Sequence, residues 1–399
     1  MKNKLILLAS IVVTVILAYP LAYPGFVFLM SRLNQPDFKT RPCDDGVEII
    51  GYEGEVGEIL VIPRRIHGRQ VSAIGDSAFE ECDLLISVKL PKGLQTIGES
   101  AFAFCYKLKY VEFSEGLRRI EDEAFSCAEL TSVVFPESLL EIGDKAFFRC
   151  ESLTSVEFPK GLQTIGEEAF CHCSSLPGVV FPESLPVIGD RAFFGCSSLT
   201  SVEFPKELQT IGDYAFAYCN SIRSVTLSAG LQSIGDSVFS SCGSLEEITI
   251  PEGTLSIGKG TFAYCDSLRR VTFPESLKSI GGFVFDSCRS LAVVTFPKGL
   301  QSIGVFAFSN CDLLEEVTFP ESLQTIKGFA FSGCDKLERI ALPEGLLEIG
   351  ESAFKDCESL EDVTLPESLQ SIGDEAFPRY VRFSAPEGSW AAEWIKKRQ

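Results

Sequence analysis

Aligned on Ile-Gly, the chain is a copy of itself many times over. Ile recurs at 74, 97, 120, 142, 165, 188, 211, 234, 257, 280, 303, 326, 349 and 372, and every step is 23 residues except the one from Ile120 to Ile142, which is one shorter. Written once, the unit is Leu153-x-x-Val156-x-Phe158-Pro159-x-x-Leu162-x-x-Ile165-Gly166-x-x-Ala169-Phe170-x-x-Cys173. Eight of these positions are apolar and are read as facing inward. A coil this short has no second layer against which to bury them. Neighbouring coils must supply the missing walls, so the core is continuous and its ends need caps.

A period of 20–29 residues on an L-x-x-L-x-L-like core is the mark of a leucine-rich-repeat solenoid. The predicted fold is an α/β-type repeat solenoid, an array of about 14 coils of 23 residues with short parallel strands, short helical turns and a cap at each end. Val156 and Phe158 form the period-2 pair of a strand, with Ser155 and Glu157 pointing out, and Pro159 ends it. Glycine follows the Ile in all units but those with Glu121 and Lys327, which suits a tight turn. Asp144 and its equivalents read as N-caps of a short helical turn carrying Ala-Phe.

The repeat explains the composition, 32 Phe against 2 Trp, 2 Met and 2 His. Lys plus Arg is 35 and Asp plus Glu is 55, so 35 − 55 gives −20, which repels phosphate backbones and excludes nucleic-acid binding. No G-x-S-x-G, H-E-x-x-H, Walker A or dinucleotide fingerprint stands in a usable context, so neither an enzyme, a cofactor nor a small-molecule substrate is expected. The carboxylates recur as equivalent positions, and two readings stand: a solvated acidic stripe and weak cation binding. Thirteen of the 15 cysteines, Cys82 through Cys357, are assigned to one buried structural column, with Cys43 and Cys171 outside it. Cys171-His172-Cys173 invites a metal reading, but Cys173 belongs to the column and should point inward.

Residues Leu5 to Met30 carry no charged side chain, a run longer than a secretory h-region and long enough to span a bilayer. A signal anchor is expected; cleavage after Ala18 or Ala22 is the alternative, and both export the rest. The division is 1–30 signal anchor or signal peptide, 31–45 linker, 46–73 N-terminal cap, 74–377 solenoid and 378–399 C-terminal capping segment.

Two surface features depart from plain repetition. The outward strand position becomes a Thr ladder that includes Thr249, Thr272, Thr295 and Thr318, read either as β-propensity on an open face or as a flat binding face. The residue after Ile-Gly is acidic in ten of 14 coils, and the exceptions, Lys259, Gly282, Val305 and Gly328, are consecutive. Three of those coils carry Phe283, Phe306 and Phe329 at a position that is usually polar. They are candidates for a partner or self-association site, with local repacking or duplication as the other reading.

The motif I-G-x-x-A-F-x-x-C-x-x-L-x-x-V-x-F-P resembles the BspA-like, or Treponema-type, leucine-rich repeat. The lead-in around Ile49-Ile50-Gly51-Tyr52 and Val61-Ile62-Pro63 resembles that family's N-terminal cap, and Pro386 to Trp394 its terminator, with Trp390 and Trp394 on one face of a capping helix. The resemblance implies a surface-exposed or secreted protein of the binding class. The expectation is an exported, membrane-anchored protein that presents an adhesion-type surface to a host or envelope protein, or to itself. The rival is a structural envelope or self-association role without an external ligand.

Overall fold

The structure, a computed structural model, describes residues 35–398 other than 232. The segment Leu5 to Met30, and with it the anchor expectation, lies outside the described residues. Among the described residues no helix is long and apolar enough to cross a membrane.

Each coil is a three-sided turn of chain. The first side is the expected strand: Ser155–Glu157 pairs in parallel with Ser132–Val134 one coil earlier, Val156 inward and Ser155 and Glu157 exposed. This sheet is broken into runs of three, two, four, three and two strands. One break falls at residues 178–180, where Pro177 has replaced a residue that could donate to the ladder. After the strand a turn closes with Leu162 N–H donating to Pro159 C=O at 3.2 Å.

The second side is a sheet that periodicity alone does not reveal. The Ile and the residue before it form two-residue strands, such as Thr164–Ile165, which pair in register with their equivalents on both sides. These rungs supply seven strands of an 11-stranded sheet at the N-terminal end, whose other four belong to the cap, and all six strands of a sheet from Ser256–Ile257 to Ser371–Ile372.

The third side corrects the helical-turn expectation. It holds no helix; it is a run of tight turns whose alternate amides bond across to the next coil, for example Glu168 N to Asp190 O (2.8 Å) and Phe170 N to Ala192 O (2.8 Å). Intervening amides close inside the coil, as Cys171 N does on Glu168 O at 3.0 Å. Two residues per coil sit in the left-handed region at φ of 51–60° when not glycine, such as Phe283 and Ser287.

The glycine after Ile is explained by proximity and not by a turn. A Cβ on Gly166 would lie 2.5 Å from Asp144 Oδ1 and 2.7 Å from the backbone carbon of Gly143, so only glycine lets the coils approach there.

The core runs the length of the stack. Phe79 through Phe377, one per coil, stack on one another with ring centroids 5.1–5.8 Å apart. Each end of this column is closed. Tyr52 continues it at the N-terminal end, stacked on Phe79 at 5.6 Å. At the other end Phe383 meets Phe377 edge-on at 5.2 Å, and Trp394 meets Phe383 edge-on at 5.4 Å.

The caps differ from expectation at two points. Part of the stretch read as linker is structured: β1 (Asp37–Cys43) pairs antiparallel with β2 (Gly46–Glu53), so the N-terminal cap starts at Asp37. In the C-terminal helix α1 (Trp390–Arg398), Ala391, Trp394 and Ile395 pack on the core, whereas Trp390 is exposed. The two tryptophans therefore do not share the buried face.

Candidate binding surface

The acidic position after Ile-Gly proves to be a set of rungs. Asp76, Asp122, Asp144, Asp190, Asp213 and Asp236 each accept, through Oδ1, the backbone N–H of the equivalent residue one coil on, at 2.7–3.1 Å. The carboxylate thus spans coils and does not cap a helix within its own coil, which corrects the N-cap expectation. Asp has the reach for this bond. Glu99 and Glu167, at the same position, make no such contact.

The last of these rungs runs from Asp236 to the amide of Lys259, where the sequence changes. Lys259, Gly282, Val305 and Gly328 offer no carboxylate to the coils after them. In their place the neighbouring column supplies rings. Phe283 stacks on Phe306 at 4.8 Å and Phe306 on Phe329 at 4.6 Å, with planes within 15° and 6° of parallel. Lys259 Nζ lies 5.3 Å from the centroid of Phe283, a cation–π contact. All three rings are half-buried and Val305 beside them is 43% exposed. Each Phe holds a left-handed φ of 54–60°, a conformation that costs an L-residue about 1–2 kcal/mol, and each is pinned by a backbone bond, as Phe283 N is to Val305 O at 2.8 Å.

Thr249, Thr272, Thr295 and Thr318 are exposed on the strand side of the same coils. Thr249 faces Thr272 and Thr295 faces Thr318 in register, but the strands carrying Thr272 and Thr295 fall in separate sheets. The structure therefore gathers the three Phe into one ridge and leaves the four Thr on another side of the coil, as two interrupted pairs.

A second aromatic run escaped the sequence reading. Phe148, His172, Phe194 and Tyr218 approach in order at 6.3, 5.5 and 5.1 Å on the turn side. They occupy two alternating repeat positions, so a single column did not reveal them. His172 is thereby placed between rings. Its neighbours Cys171 and Cys173 are both buried, and the Cys173 thiol donates to Phe147 O at 3.3 Å, so the three residues do not converge on a common point.

The cysteine column is a hydrogen-bonded one. Eleven thiols, from Cys105 to Cys357, each donate to the carbonyl of the core Phe one coil earlier at 3.2–3.3 Å. A serine hydroxyl at these positions would find the same carbonyl as acceptor. Cys127 is not part of the column: in the short coil the missing residue falls after it, Ala128 takes the core slot and Cys127 is half-buried at a left-handed turn position.

A family profile described as "BspA type Leucine rich repeat region (6 copies)" matches residues 65–177, 163–292 and 278–382. No curated protein matches the chain. Among solved structures, a leucine-rich repeat protein of Bacteroides ovatus is 24% identical over 89% of this chain and 99% of its own, with a TM-score of 0.66. A leucine-rich cell surface protein of Faecalibacterium prausnitzii is 27% identical over 89% of this chain and 95% of its own, with a TM-score of 0.56.

Proposed function

The chain belongs to the BspA-type leucine-rich repeat family, and from that membership we propose that it is an exported, membrane-anchored protein whose solenoid presents a protein-binding surface. The observation that carries this reading is the ridge of Phe283, Phe306 and Phe329, half-exposed in the coils where the carboxylate rungs stop. Aromatic residues, Phe among them, are enriched at protein–protein interfaces relative to the rest of the surface. Two further supports are the uncharged run Leu5 to Met30 and the cell-surface description of the F. prausnitzii protein. The partner is a protein, and the repeats serve as scaffold and not as catalyst.

Two measurements test this. Protease treatment of intact cells should release the repeat domain while leaving Leu5 to Met30 with the membrane fraction; a repeat domain that stays protected contradicts export. Changing all three Phe to Ser should weaken capture of cell-surface or envelope protein by about tenfold or more while the fold survives. Unchanged capture rejects the ridge. Concentration-dependent oligomers that the triple change abolishes assign the ridge to self-association.

A further inference from the structure

The strand side of the two coils from Ile257 to Ser302 departs from the rest in its ladder and in its charge. One boundary earlier Arg269 N donates to Glu246 O at 2.8 Å and Ile250 N to Thr272 O at 2.9 Å, and one boundary later Glu315 N donates to Ala292 O at 3.3 Å. Between strands Arg270–Thr272 and Val293–Thr295 the equivalent bonds, Ala292 N to Arg269 O and Phe273 N to Thr295 O, are not made among the described residues, and the two strands fall in separate sheets. The ladder is open there. The charge balance also reverses, because residues 257–302 hold six Lys or Arg against three Asp or Glu on a chain of net charge −20.

A groove of about 490 Å³ lies along this open boundary. It runs from Arg269 and Arg270, where the first strand begins, past exposed Thr272, Val293 and Thr295 to its one carboxylate, Glu275, beyond the strand's end. Among the described residues Arg289 is the one cation of these coils in an ion pair, 3.8 Å from Asp266 and 3.9 Å from Asp312, so both arginines of the groove are unpaired. Another open boundary, between strands Arg339–Ala341 and Asp362–Thr364, carries a groove of about 420 Å³. There Glu316 and Asp362 balance Arg339 and Arg382, and Arg382 donates to Asp362 through two bonds of 2.7 Å. The two grooves share a backbone defect, and only the first has cationic donors to spare.

We infer that this groove binds an extended acidic segment of a partner protein, with an Asp or Glu carboxylate held by Arg269 and Arg270 and the segment's backbone held by the groups that the open ladder leaves unbonded. A guanidinium offers a carboxylate two parallel N–H donors, so two adjacent arginines fix both its place and its orientation. Phe273 N–H, Arg269 C=O and Thr295 C=O belong to residues that line the groove, and a mixture of donors and acceptors is what a peptide backbone satisfies. A polysaccharide would use the arginines but has no amide to match the rest. A second copy of the chain, though acidic, is the poorer occupant, since two whole bodies of charge −20 repel while a short segment meets mainly the local field. The site lies on the strand side, away from the Phe ridge, and does not depend on the ridge being a binding surface.

The test titrates the full-length chain with fluorescein-labelled hexa-glutamate, with hexa-serine as control, and reads anisotropy in about 0.15 M salt, where charges more than about 8 Å apart are screened. Hexa-glutamate should bind and hexa-serine should not; no binding of hexa-glutamate overturns the inference. Arg269→Gln with Arg270→Gln, at two exposed positions, should weaken hexa-glutamate by about tenfold or more. Arg64→Gln with Arg65→Gln makes the same change of charge at an exposed pair in the N-terminal cap and should alter little. Equal loss from the cap pair reduces the binding to general charge and overturns the inference. Thr295→Trp fills the groove with both arginines in place and should weaken binding by roughly fivefold or more; wild-type binding by that chain means the groove is not used, and overturns it too. Heparin that binds more tightly than hexa-glutamate, and loses that binding with the arginine pair, assigns the site to a sulfated polysaccharide and overturns the choice of partner. Oligomers that the arginine change disperses assign it to a second copy, with the same result. Changing the three ridge Phe to Ser should leave hexa-glutamate binding intact, which keeps a failure here distinct from a failure of the ridge; loss in that variant moves the anion to the ridge and overturns the inference.

Discussion

Between Asp76 and Lys259 the turn side of the solenoid is tied by carboxylates, whereas from Lys259 to Phe329 it is tied by rings. Both devices span one coil step. Asp Oδ1 does so by reaching an amide at 2.7–3.1 Å, and the Phe side chains do so by stacking at 4.6–4.8 Å, closer than the 5.1–5.8 Å of the core column. The first leaves a wet, acidic surface that repels most macromolecules of the same sign. The second leaves a more apolar one, without a carboxylate in the column after Ile-Gly and with Lys259 over its first ring. The backbone beneath is the same alternation of left-handed residues and cross-coil bonds in both regions, so the outer side chains can change character without disturbing the coil. A repeat scaffold can therefore acquire a binding patch by substituting one column over a few consecutive coils.

What the two regions share is tested by alkali, which should have the largest effect. Burial pushes the thiols from Cys150 to Cys357 upward, with Cys265 and Cys357 at about 12, while an unfolded thiol titrates at about 8.5. Because the folded value is raised, this stability is whole below about pH 8.5 and is lost as the pH climbs toward 12. Each thiol gives up about 1.4 kcal/mol per pH unit in that window. Melting followed by circular dichroism should therefore fall steeply above about pH 9 in both regions. An unchanged melting temperature at pH 10.5 contradicts buried, protonated thiols.

A smaller effect separates the regions. Asp144→Ala strips the acceptor from the Glu167 amide and should cost about 1 kcal/mol, a charged hydrogen bond discounted for its exposure, and Asp144→Asn should restore most of it. Glu167→Ala, one coil on, should change stability by less than about 0.5 kcal/mol. Equal costs in denaturant titrations mean that the rungs are incidental. The smallest effect concerns the common backbone: Ser100→Gly, at φ 53°, should stabilise by up to about 1 kcal/mol because glycine adopts that conformation without strain. A loss there would show that the hydroxyl contributes more than the strain removed.

Much of this was legible in the repeat, because inward positions must be apolar in every coil. Leu153, Val156, Leu162, Ile165, Ala169, Phe170 and Cys173 are all buried, as their spacing requires, and Phe158 is partly so. The turn side was misread because Asp144-x-Ala-Phe has the composition of a capped helix, while its actual bond partner is 23 residues away. The Ile sheet was missed because a two-residue strand has no alternation to display. Cys127 was misplaced because a one-residue gap can be set on either side of it, and only the core slot filled by Ala128 decides. The stacking of Phe283, Phe306 and Phe329 could be anticipated from in-step coils.

The bonds between coils run along the solenoid axis, and this sets how the molecule yields to load. A pull between Gln35 and the C-terminal helix works against one coil boundary at a time, since the boundaries repeat the same contacts: the short Ile strand, the Val strand where it is unbroken, a few turn amides, the stacked core Phe and the thiol bonds. A coil that opens exchanges about 4.8 Å of folded length for about 23 residues of extended chain, near 78 Å. Fourteen such steps in series make the solenoid a brake that lengthens gradually and limits the peak tension a bound partner feels.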